Sequence, residues 1–218
     1  MKNIVKISFI SLLFLFFAQI DAAANLVMIS PAGDLNNPGR KLSDGYERGV
    51  AFQIAEKLKN LLFEKYGIKA VLTREPREAI VPLQNASYAN RFNADFFLSI
   101  HVFKQENPKP KVFTYYQMFN RVKDLAGFNV NSLEFVSIYE SHYKNLKLTM
   151  SLAERMKNAL IDTKFDKIFD SFGPIGLPLK PLVGITTPAM VLEIGLCEEN
   201  DWKNIVEPIA ESLSFLKE

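Results

Sequence analysis

Apolar residues along the chain follow two alternating rhythms. Short runs such as "NLVMIS" at 25–30 and "AMVLEIG" at 189–195 concentrate aliphatic side chains as buried strands do. The stretch 44–67 instead places Val50, Ile54, Leu58, Leu61 and Leu62 at helical spacing and closes on Gly67, a C-terminal cap. Between and beyond them, "IKAVLTR" (68–74) predicts a second strand, "LQNASYANRFN" (83–93) a short helix and "ADFFLSIHVF" (94–103) a third strand. The joins are only a few residues long, as crossover units require. "KQENPKPK" is a proline-broken loop, and the aromatic, β-branched "VFTYYQMF" (112–119) follows it as a strand. The segment 120–147 loses regularity and reads as an excursion with helical parts, a lid or wall beside a cleft. An amphipathic helix is expected over 149–163, a lead-in and last strand over 173–196, and a helix near 202–216 in which Pro208 marks a break or restart. The order predicts a single three-layer α/β domain with a mostly parallel central sheet flanked by helices.

Composition narrows the function classes. The 218 residues carry a formal charge of +2, with both signs scattered through most elements, so no concentrated field is present to draw nucleic acid. Lys2 and Lys6 precede the apolar run "ISFISLLFLFFAQI", which is short for a membrane span, and Ala22 and Ala24 occupy the small-residue places for cleavage before Asn25. This predicts a signal peptide over 1–24, a functional domain over 25–218, and export to the periplasm or cell envelope. No later apolar stretch has membrane length, so no membrane attachment is expected after cleavage. Cys197 is the single cysteine, which excludes an internal disulfide.

Three side chains stand out as chemistry. His101, one of two histidines, lies near the C-terminal end of a buried strand, where α/β folds place their sites. Glu193 sits inside the apolar run "AMVLEIGL", where a carboxylate costs several kcal/mol unless a charge or donor answers it. Glu47 opens a helix, a place the helix dipole favours for any acid. Arg74, ending its strand, most simply anchors a loop or pairs with a carboxylate.

In order along the chain stand "ISPAGD", "DGYERG", "VLTR", "YANRFNADFFLSIH" and "TPAMVLEIGL". This ordered set resembles the zinc-dependent N-acetylmuramoyl-L-alanine amidases, which cleave peptidoglycan between the muramyl lactyl group and L-alanine. The resemblance covers nearly all of 25–218. It implies a Zn2+ cofactor, Glu47 and His101 as metal ligands, Glu193 as the catalytic carboxylate, and peptidoglycan or muropeptides as substrate. The family's first ligand, a histidine, aligns with Gly33, which has no donor; Asp34 is the neighbouring carboxylate that could replace it. His142, expected on the surface, is the other candidate. Further departures are Ser30 for an aspartate, Ala86 for an arginine and Phe103 for an asparagine. Two readings remain open: a hydrolase weakened by its altered site, and a non-catalytic protein of the same fold that binds peptidoglycan or an envelope protein.

Overall fold

The computed structural model describes residues 25–81, 83–118, 137–162 and 164–217. The expected signal peptide and the greater part of the expected excursion, residues 119–136, lie outside the described residues. A six-stranded sheet runs through the centre: β1 (Leu26–Pro31), β2 (Lys69–Leu72), β3 (Phe96–Lys104), β4 (Lys111–Gln117), β5 (Asp170–Leu177) and β6 (Ala189–Leu196), in the order β2-β1-β3-β6-β4-β5. Strands β2, β1, β3 and β6 are mutually parallel; β4 runs antiparallel to β6 and parallel to β5. Four α-helices occur among the described residues: α1 (Glu47–Tyr66), α2 (Gln84–Arg91), α3 (Leu146–Leu160) and α4 (Trp202–Ser212).

The period-two alternation of the strands divides the sheet into two unequal faces. Val27, Ile29, Phe96, Leu98, Ile100, Leu192 and Ile194 point to the face covered by α1, α3 and α4, where the main core forms. Met28, Phe97 and Val191 point the other way, into a small cluster under Ala86 and Ala89 of α2 with Leu182 and Ile185. Along β3 and β6 this second face passes from apolar Phe97 and Val191 to Ser99, His101 and Glu193. Burial therefore gives way to polar chemistry at the C-terminal ends of the central strands.

Local physics explains the main elements. The amide of Gly67, in the left-handed conformation, donates to the carbonyls of Leu62 and Phe63 and ends α1 as its sequence predicts. Two elements differ from expectation. Residues 173–177, expected within the lead-in to the last strand, join 170–172 in edge strand β5, because an edge tolerates Gly-Pro where a central strand would lose a ladder bond. Pro208 neither breaks nor restarts α4, which continues through it. The lost backbone bond is offset by the buried face of Ile205, Val206, Pro208 and Ile209.

Asn90, at the end of α2, ties that helix to the segment before β6. Its amide donates to the Gly184 carbonyl (2.9 Å), and its oxygen accepts from the backbone N–H (3.0 Å) and hydroxyl (2.9 Å) of Thr186. Asn90→Ala should lower unfolding free energy by about 1–2 kcal/mol. Urea denaturation tests this, and an unchanged midpoint would show that the bridge contributes nothing.

Candidate functional site

The parallel pairing of β3 with β6 sets His101 directly beside Glu193, and the antiparallel pairing of β6 with β4 sets Glu193 beside Phe113. Phe172 of β5 follows in the same row. One line across four strands thus runs from imidazole to carboxylate to two aromatic rings. The Phe113 and Phe172 rings stack 4.8 Å apart, with Phe103 (6.1 Å) and Tyr115 (6.2 Å) also near Phe113.

Glu47, the first residue of α1, reaches back over the end of β3 and is 4% exposed. Its Oε1 accepts from the Val102 backbone N–H (3.0 Å) and lies 3.2 Å from His101 Nδ1. Its Oε2 accepts from the Arg40 backbone N–H (3.0 Å). Burial pushes this carboxyl up, but the His101 hydrogen bond and the Arg40 and Val102 amides outweigh it and leave its pKa below the ordinary value. Helix-dipole preference alone does not explain so enclosed a carboxylate. His101 Nε2 lies 3.1 Å from the Ser99 hydroxyl, so the tautomer that uses both contacts donates from Nδ1 to Glu47 and accepts at Nε2. Gly39, at φ +76°, lets the loop pass over Glu47: a Cβ there would fall 2.7 Å from Oε2.

The charge that answers Glu193 is Arg40, whose Nη2 lies 2.5 Å from Oε1, with side chains 48% and 22% exposed. Local sequence gave no sign of Arg40, which stands in the loop "NNPGRKLSDG". Its guanidinium lies over the Phe103 ring, 5.8 Å from the centroid. The Tyr115 phenol also faces Glu193; burial, then that carboxylate, hold the phenol above its ordinary pKa.

The fold thus brings Glu47, His101 and Glu193 to one strand end. It does not bring Asp34 into the cluster: its Oδ1 accepts from the Asn36 (2.7 Å) and Asn37 (2.9 Å) backbone N–H groups and shapes its own loop. His142 is buried rather than exposed, packed on Tyr143 in a separate pocket with Leu146, Thr149 and Ile185. Gly33 has φ +73°, and a Cβ there would lie 2.7 Å from the Arg48 Cβ. Among the described residues no group of three or more His, Cys, Asp or Glu side chains is placed to hold a metal ion. Two donors, each already hydrogen-bonded, do not fit the three-ligand set of hydrolytic zinc.

Arg74 does anchor a loop. It is 4% exposed and donates to the carbonyls of Pro31 (3.3 Å), Ala32 (3.2 Å) and Arg48 (3.1 Å), joining the end of β1 to the start of α1. Of the departures from the motif, Ser30 accepts from the Asn85 amide (2.9 Å) and Ala86 packs in the small apolar cluster.

A family model described as N-acetylmuramoyl-L-alanine amidase matches residues 27–212. A probable N-acetylmuramoyl-L-alanine amidase, AmiB of Haemophilus influenzae, is 32% identical over 117 residues, covering 50% of this chain and 27% of its own length. The chain therefore spans about a quarter of the length of that curated relative. Among solved structures, the catalytic domain of the amidase CwlV from Bacillus (Paenibacillus) polymyxa var. colistinus superposes with a TM-score of 0.63 at 17% identity, over 88% of this chain and 97% of that one. The amidase AmiC2 of Nostoc punctiforme gives a TM-score of 0.63 at 21% identity, over 90% and 99%.

Proposed function

Because this chain belongs to the N-acetylmuramoyl-L-alanine amidase family, we propose that its cleft acts on peptidoglycan, at the amide joining the muramoyl lactyl group to L-alanine. The observation that carries the reading is the convergence of Glu47, His101 and Glu193, from α1, β3 and β6, at the positions matching the family motif. Residues 1–24 act as the export signal that delivers the domain to the cell envelope. No helix among the described residues is long and apolar enough to cross a membrane.

The family is generally zinc-dependent, and the described donors fall short of its ligand set, so the chemistry is taken only as far as the chain's own groups carry it. Glu193 is the base: it takes a proton from water as the oxygen attacks the amide carbon, then returns it to the departing alanine nitrogen. Tyr115 and Arg40 orient its carboxylate. A second reading, binding of peptidoglycan or an envelope protein without hydrolysis, is favoured by the Arg40 ion pair, which must open before Oε1 can reach water.

Incubating the chain with purified cell-wall sacculi and counting newly exposed alanine amino groups separates the two. Hydrolysis should appear and fall by at least about 100-fold in Glu193→Gln, the scale of a lost general base. Cosedimentation with sacculi without release would select the binding reading. Neither release nor cosedimentation would remove peptidoglycan as the target.

A further inference from the structure

We infer that the guanidinium of Arg40 is the resident cation of this cleft, and that the chain holds its two site carboxylates without a divalent ion. One residue ties both acids: the Arg40 backbone N–H donates to Glu47 Oε2 (3.0 Å) and its side chain pairs with Glu193 Oε1 (2.5 Å). The rest of the Glu47 carboxylate is served by the Val102 amide and His101, and the second imidazole nitrogen meets Ser99. Three of the roughly four lone-pair sites of Glu47 and both ring nitrogens of His101 are therefore engaged within the protein. A guanidinium is part of the chain, so unlike a bound metal ion this cation is not removed by a chelator.

Two departures from the family motif fall into place around the same side chain. Phe103 supplies the ring on which the guanidinium lies, where an asparagine would offer no π face. At Gly33 the loop has a left-handed conformation and no room for a side chain against Arg48, so the place of the third donor is closed by backbone geometry as well as by residue type. The loop from Gly33 to Arg40 thus offers a guanidinium to Glu193 and no third donor to Glu47 and His101. This concerns the cation and not the substrate, so it stands or falls separately from the peptidoglycan reading.

The test is zinc binding to the full chain, stripped with EDTA and then equilibrated with micromolar zinc. Wild type should retain well under one equivalent, and its thermal midpoint should be the same in EDTA and in added zinc, since a ligand that binds only the folded state would raise it. Arg40→Gln keeps the backbone N–H and removes the charge; its zinc affinity should rise at least about tenfold, because the competing cation is gone. Arg40→Lys, which keeps the charge, should stay zinc-poor. Stoichiometric zinc in wild type with a raised midpoint would overturn the inference, as would measurable zinc binding of equal affinity in wild type and Arg40→Gln; no zinc in either would uphold the metal-free cleft but overturn the role of the guanidinium in excluding the ion. Circular dichroism checks that the variant is folded, and should it not be, the wild-type stoichiometry and midpoint decide alone.

Discussion

Glu47→Ala should lower unfolding free energy by about 3 kcal/mol at neutral pH, chiefly by leaving buried donors without acceptors. The carboxylate is 4% exposed and accepts the Val102 and Arg40 backbone N–H groups as well as the His101 ring. The Val102 N–H is fully buried and has no water to replace the carboxylate, whereas exposed Arg40 and half-buried His101, with relief from burying a charge, return part of the loss. Glu47→Gln, with one acceptor oxygen in place of two, should cost roughly half as much. The pH dependence has a definite sign. The folded carboxyl titrates below its ordinary value, so its contribution is fully present above that value and disappears as pH falls through the folded pKa. Urea titrations in EDTA across the acid range should show the Ala deficit shrinking towards low pH. A deficit that is constant with pH, or absent, would show that these contacts do not hold the strand end.

Arg74→Met should have a comparable effect, about 2–4 kcal/mol, while keeping most of the apolar stem. Three backbone carbonyls, of Pro31, Ala32 and Arg48, lose their donor inside the fold. Cation–π contact with Phe52 (5.3 Å) is lost as well. Burial draws the guanidinium pKa down from its ordinary value, yet arginine remains charged, so the substitution removes a true cation. Arg74→Lys should recover only part of the loss, because an ammonium cannot reproduce a fork spread over three acceptors. Since two of those carbonyls start the loop that carries Arg40, amide exchange in residues 32–46 should accelerate in Arg74→Met before global unfolding. Unchanged exchange there would mean the loop is held by other contacts.

How far this architecture can be read from sequence depends on whether its cause is local. The buried runs of β1, β3 and β6, the face of α1 and the Gly67 cap are set by neighbours within a turn or two, and each is legible. β5 is not, because Gly-Pro in "DSFGPIGL" opposes a strand everywhere except at an edge, and position in a sheet is a tertiary property. At the site, Glu193 announces itself as a carboxylate in an apolar run that needs an answering charge. The identity of that charge could not be read: Arg40 lies 153 positions away in a polar loop with nothing to separate it from other surface arginines. Asp34 is available as a donor by sequence for the same reason, whereas its loop turns its carboxylate onto the Asn36 and Asn37 amides. His142 has polar neighbours in sequence, but in space it is buried in a pocket that mixes Leu146, Leu182 and Ile185 with Gln117, Thr149 and Thr187.

Gly33 also bears on which mutational paths are open to this protein. A histidine introduced there must leave a left-handed backbone and displace Arg48, whose side chain holds the carbonyls of Asp34 and Leu35. The new donor would therefore bring strain before any benefit from a metal. Removing Arg40 first leaves Glu193 without its countercharge, and remodelling the loop first gains nothing while the arginine remains. Each of these first steps towards a three-donor site therefore carries a structural cost of its own. A side chain at position 33 is thus costly through the backbone alone, whatever the rest of the cleft holds.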